Sequence, residues 1–224
     1  MRVFVVGNRA DGDPGLVGEH LETTYGASLI RGWREEPDGW PDLDGFDLVV
    51  ALGSDWSAYW DHLSVSVGAE MALMRAAQRQ NRPLLGICFG AQVAAQALGG
   101  RVERAPEPEV GWYAVEVTDA APFDRGPWFQ WHADRLEPPV AAQVLGHSPR
   151  AVQAFALGRT LAVQFHPEVT TAMVERWASG DGLLELQRLG IDRDELLAVT
   201  VGNADDRRLP ACSIVDAVLG RSAA

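Results

Sequence analysis

The chain has 224 residues, 47% of them apolar, and a formal charge of −12. That length supports one large domain, or one domain with a small appendage, and the negative charge argues against nucleic acid or an acidic membrane as partner. No apolar run approaches the ~20 residues that span a bilayer, and the start, MRVFVVGNRADGD, lacks the long apolar region of a signal peptide, so a cytoplasmic location is expected.

RVFVVGN (Arg2–Asn8) reads as a buried strand, Gly15–Tyr25 as a helix, SLIRGW (Ser28–Trp33) as a second strand and DGFDLVVALGS (Asp44–Ser54) as a third. Val67–Arg79 carries helical spacing through Met71, Leu73, Met74 and Ala77. RPLLGIC (Arg82–Cys88) is a fourth strand, and FGAQVAAQALGG (Phe89–Gly100) an Ala-rich helix ended by a glycine pair. Continuous apolar strands alternating with helices predict an α/β fold with an open, mostly parallel sheet flanked by helices on both faces.

The second half changes character. EVGWYAVEVTD, WFQWHADRL, AAQVLGHS, AVQAFALG and RTLAVQFHPE read as strands, the last two as a hairpin with LGR at its tip. They predict an antiparallel extension of the sheet or a small layer beside it. Beyond Thr170 the pattern returns to helix in AMVERWAS, LLELQRLG, DELLAVTV and CSIVDAVL. The expected division is a domain over residues 1–180 and a helical C-terminal tail over 181–224 packed onto it.

Cys88 sits where the fourth strand turns into a helix, with Gly86 and Gly90 two residues to either side. G-x-C-x-G is the thiol form of a nucleophile elbow, a turn too tight for neighbouring side chains. It would expose the sulfur at the carboxyl edge of the sheet, where the positive end of the following helix favours a thiolate. Taken alone, the motif also fits a free cysteine buried at a tight crossover.

LAVQFHPEV supplies a base. Pro167 keeps His166 extended, and residues two apart on an extended segment share a side, so Glu168 can reach the His166 imidazole. A thiol, imidazole and carboxylate in series make a nucleophile, its base and the group that orients the base. Alone, His166 would be a strand-end histidine and Glu168 a solvated charge; the two motifs together, each at the end of a buried strand, are far more specific.

GICFGAQ followed by QFHPE resembles the class I glutamine amidotransferases, in particular the glutaminase domain of GMP synthase and its free-standing relatives. The resemblance runs from about Asp44 through Glu168 and implies a flavodoxin-like sheet of the class I glutaminase type. It also implies a catalytic triad of Cys88, His166 and Glu168, and an oxyanion hole from the backbone N–H groups of Ser54 and Phe89. The implied substrate-binding residues are Gly53, Gln92, Trp131, His132 and Ala133, around glutamine or another γ-glutamyl compound. Neither a cofactor nor a metal is implied. A separate synthetase subunit that accepts ammonia is the implied partner, since no phosphate-loop motif is present.

The chain departs from the family at the oxyanion turn, which often reads Gly-Gly-Pro and here reads Gly53-Ser54-Asp55. Two other readings compete: a non-catalytic or partner-activated regulatory subunit, and a cysteine-elbow protease or deglycase. The latter class places His beside the nucleophile, where this chain has Phe89. Cys212 reads as a core residue, and His20, His62 and His147 show no ligand spacing. Trp56 and Trp60 are expected near the cleft, or against a partner or the helical tail.

Overall fold

The computed structural model describes residues 1–221. Its parallel half is built from β1 (Arg2–Gly7), α1 (Gly15–Tyr25), β2 (Ser28–Trp33), β3 (Leu48–Ala51), α2 (Ser64–Arg79), β4 (Leu84–Ile87) and α3 (Phe89–Ala97). There follow β5 (Arg101–Tyr113), β6 (Glu116–Val117), β7 (Trp128–Glu137), β8 (Gln143–His147), β9 (Val152–Leu157) and β10 (Thr160–Val163). Four helices close the chain: α4 (Thr171–Trp177), α5 (Asp181–Leu189), α6 (Arg193–Asp206) and α7 (Arg208–Gly220).

Eight strands form the main sheet in the order β2-β1-β3-β4-β10-β9-β8-β6. The first five run parallel and the last three alternate in direction. Alternation along β1 sends Val3 and Val5 to one face and Phe4 and Val6 to the other. The first face is covered by Val17 and Leu21 of α1 and by Ile214, Val215 and Val218 of α7, the second by α2 and α3. Both faces are thus buried, and this is why the strands read as unbroken apolar runs.

Strands β5 and β7 pair antiparallel as a separate ribbon. Val110 and Phe129 of the ribbon pack with Val174, Leu186 and Leu196 of α4, α5 and α6 in a third apolar cluster. The antiparallel strands therefore do both things the sequence allowed: β9, β8 and β6 extend the sheet, and β5–β7 forms a layer beside it. The β9–β10 hairpin turns at Gly158, as its LGR tip predicts.

Several boundaries differ from the sequence reading. The ribbon strand starts at Arg101, well before EVGWY, because Pro106 and Pro108 lie in the register shift between Arg104 and Glu109, where ladder donors are not required. EVGWYAVEVTD is not one strand: β5 ends at Tyr113, and Glu116–Val117 pairs with β8 in the other sheet. The third strand shrinks to Leu48–Ala51, and α2 starts at Ser64. Cys212 is half-buried and not in the core, since Ala211, Ile214, Val215 and Val218 take the inward stripe of α7. No described helix is long and apolar enough to cross a membrane.

Candidate active site

Cys88 follows β4 directly, with φ 50° and ψ −106°, a conformation non-glycine residues adopt only where the surroundings enforce it. The enforcement is main-chain contact. Cys88 N–H donates to the Val163 carbonyl at 2.8 Å and Gly90 N–H to the Leu52 carbonyl at 3.1 Å. A Cβ at Gly86 would lie 2.8 Å from the Gly90 carbonyl oxygen, and one at Gly90 would lie 2.2 Å from that of Ala51. The spacing G-x-C-x-G is thus the condition for α3 to lie against β3 and β4. Phe89 opens α3, so its N–H has no acceptor within the helix.

His166 is delivered by the segment after β10. Its backbone N–H donates to the Phe129 carbonyl of β7 at 2.8 Å. Nδ1 and Glu168 Oε1 are 2.8 Å apart; an ionised carboxylate only accepts, so Nδ1 is the donor. Glu168 is fixed in turn, its carbonyl accepting from Leu16 N–H of α1 at 2.9 Å. Both side chains are buried, and His166 Nε2 has no partner of hydrogen-bond geometry among the described residues. Burial pushes the imidazole pKa down, but the Glu168 carboxylate and then the Cys88 sulfur outweigh it and hold the pKa well above its ordinary value. The Trp177 ring lies 4.9 Å from the imidazole, and its Nε1 donates to Asp11, whose carboxyl pKa is raised by burial.

Cys88, His166 and Glu168 open into one cleft of about 1360 Å³. It lies beyond the carboxyl ends of β1, β3 and β4, the ordinary ligand position of an open α/β sheet. Gly53, Ser54, Gln92, Trp131, His132 and Ala133 line the same cleft. Phe89 is not among the residues that line it, and its ring is buried. A Cβ at Gly53 would lie 2.9 Å from His166 Cε1 and 3.6 Å from Cys88 Cβ, so that position has no room for a side chain. Trp56 packs edge-on against Phe89, and the exposed Trp60 stacks on His62. His20 pairs with Asp216 and His147 with Glu116. Among the described residues no group of three or more His, Cys, Asp or Glu is placed to hold a metal ion.

Three site residues escape the sequence reading. Gln164 donates from Nε2 to Cys88 Sγ at 3.6 Å and accepts from Gln92 Nε2 at 3.3 Å, which ties Gln92 to the sulfur's surroundings. A signal existed, for Gln164 stands two residues before His166. Asp134 accepts from Ser57 Oγ at 2.6 Å and Tyr59 OH at 2.8 Å, anchoring the loop after β3 to β7. Arg34, just after β2, is wholly buried beneath Gly53 and paired with Glu70. Nothing in the run Trp33-Arg34-Glu35-Glu36 sets it apart from a solvated surface.

Residues 62–175 match the family described as Glutamine amidotransferase class-I. The chain belongs to that family. A subunit of the glutamine-hydrolysing GMP synthase of Ignicoccus hospitalis is 37% identical over 163 residues, covering 69% of this chain and 82% of that one. The glutamine-hydrolysing GMP synthase of Aeropyrum pernix is 43% identical over 137 residues, 58% of this chain; the match spans only 25% of that protein's length. The crystal structure of a glutamine amidotransferase from Thermotoga maritima superposes with a TM-score of 0.88 at 28% identity, covering 98% of each chain. In this class I glutamine amidotransferase the family match ends inside α4, whereas the structural likeness takes in α5, α6 and α7 as well.

Proposed function

We propose that the chain hydrolyses the γ-carboxamide of glutamine, or of a related γ-glutamyl compound, through Cys88, His166 and Glu168. The observation that carries this reading is the strained Cys88 elbow opening onto the same cleft as an imidazole oriented by a carboxylate at 2.8 Å. In the first step the Cys88 thiol passes its proton to His166 Nε2 as Sγ bonds to the amide carbon, the carbonyl π electrons move to oxygen, and the developing oxyanion is met by the N–H groups of Ser54 and Phe89. The carbon–nitrogen bond then breaks as His166 gives its Nε2 proton to the leaving nitrogen, releasing ammonia or an amine. Water attacks the γ-glutamyl thioester, His166 takes its proton, and the carboxylic acid leaves with the Cys88 thiol restored. Glu168 keeps Nδ1 protonated and steadies the imidazolium throughout.

Gln92, Trp131, His132 and Ala133 form the wall against which the substrate rests in this reading. The cleft exceeds the ~300–1,000 Å³ of ordinary small-molecule sites, which supports a γ-glutamyl compound larger than glutamine or a mouth that a partner covers. Relatives that are named as one subunit of a GMP synthase support a separate synthetase as the acceptor of ammonia. The test is release of ammonia and glutamate from glutamine and a panel of γ-glutamyl amides by wild type and Cys88→Ala. A fall on the order of 10⁴-fold or more is expected, and turnover untouched by the substitution would overturn the assignment. Turnover that starts only with an added protein would favour the partner-activated form.

A further inference from the structure

The oxyanion turn lacks the second glycine and the proline that stiffen it in the family, yet its main chain is gripped from below. Arg34 is fully buried, and all five of its guanidinium donors are used. Nε and Nη2 form a fork on Glu70 at 2.7 and 2.9 Å, and Nη2 also donates to the Leu52 carbonyl at 2.7 Å. Nη1 donates to Asn8 Oδ1 and to the Gly53 carbonyl, each at 2.9 Å. The guanidinium also lies over the buried Phe89 ring, 4.7 Å from its centroid.

We infer that Arg34 is the positioning residue that fixes the Gly53–Ser54 peptide with its N–H turned into the cleft. This rests on the glutaminase reading above. In a trans peptide the C=O and N–H point in opposite directions. Holding the Gly53 oxygen down on the guanidinium therefore turns the Ser54 N–H to the opposite side, and Gly53 and Ser54 both line the cleft that holds Cys88 and His166. The reverse peptide would set the Ser54 N–H against a guanidinium N–H, donor to donor. It would also leave a buried charged donor unpaired, which is strongly disfavoured. The arginine thereby supplies the stiffness that Gly-Gly-Pro provides elsewhere, and Glu70 serves to keep the buried cation paired.

The test compares Arg34→Lys with Glu70→Gln, under whichever condition supports wild-type turnover. Lysine keeps a cation for Glu70 but brings three donors in place of five and no planar fork, so it cannot keep the two-point grip on Glu70 and still reach Asn8 and both carbonyls. For Arg34→Lys, kcat is expected to fall about 10²–10³-fold, the usual effect of losing one oxyanion donor, with KM within about threefold. Alkylation of Cys88 by iodoacetamide, which needs the thiolate but no oxyanion hole, should keep its rate and pH profile. Glu70→Gln leaves the Gly53 carbonyl bond in place, so it should melt at lower temperature yet keep kcat within about threefold. The double variant Arg34→Met/Glu70→Met removes both charges, and if Arg34→Lys fails to fold it should show the same kcat loss with alkylation intact. An undiminished kcat in the folded Arg34 variants would overturn the inference, as would alkylation lost in step with kcat, which marks a general loss of structure. A wild type inert toward glutamine and every γ-glutamyl amide would overturn the glutaminase reading, and this inference with it.

Discussion

The elbow at Cys88 and the wall that faces it across the cleft are held by different kinds of contact. At the elbow the restraints are main chain: Cys88 and Gly90 donate to Val163 and Leu52, and Gly86 and Gly90 let α3 lie on the strands beneath it. Across the cleft they are side chains that meet over long separations. Ser57 reaches Asp134 across 77 residues, Trp131 reaches Glu185 across 54, and Trp177 reaches Asp11 across 166. A main-chain restraint survives any change of sequence that keeps the glycines, whereas a side-chain wall is open to replacement one residue at a time. The position of Cys88 is therefore separable from the shape of the space above it.

Gly90→Ala tests that contrast hardest. A Cβ placed 2.2 Å from a backbone oxygen cannot escape by changing rotamer. The loss should reach about 3 kcal/mol, the upper end of ordinary overpacking, seen as a fall of ~10 °C in Tm. A variant that melts with the wild type would mean the elbow is not held by its main chain. Asp134→Ala removes the acceptor of Ser57 and Tyr59 from the wall. It should cost about 2 kcal/mol and raise KM, while the rate of Cys88 alkylation stays put. Slowed alkylation would show that the wall and the elbow are coupled after all.

The smallest and most local change is Glu168→Gln. The Glu168 carboxylate raises the His166 pKa against burial, so its removal lowers that pKa, and the imidazolium is lost at lower pH. The alkaline limb of kcat/KM should move down in pH, and an unmoved limb would dissociate Glu168 from the imidazole. A folded-state pKa above the ordinary ~6.5 adds stability below that value, and the contribution is lost as pH rises through the folded one. The stability gap between wild type and this variant should accordingly narrow as the pH rises.

The same contrast explains what could be read from the sequence. Gly86-Ile87-Cys88-Phe89-Gly90 and His166-Pro167-Glu168 are short runs whose geometry is local, and strand and helix periodicity place them at the ends of buried strands. Gln164 obeys that same local rule and was open to discovery. Arg34 was not: its burial follows from Glu70 on α2 and from the Leu52 and Gly53 carbonyls, none of them close in sequence. Pro106 and Pro108 disguised the start of β5 because a strand tolerates proline only where its ladder is broken. Cys212 misled for the opposite reason: a helix with many apolar residues buries only one stripe of them.

The packing of α7 has a consequence in time. Ile214, Val215 and Val218 complete the apolar face that includes Val3, Val5, Leu85 and Ile87, joining opposite ends of the sequence beneath the strand that carries Cys88. A ribosome adding ~5–20 residues per second finishes β4 and α3 on the order of ten seconds before residues 208–220 exist. Until then, of the two helices α1 and α7, α1 alone lies on that face, and the patch that Ile214, Val215 and Val218 will cover stays open to water.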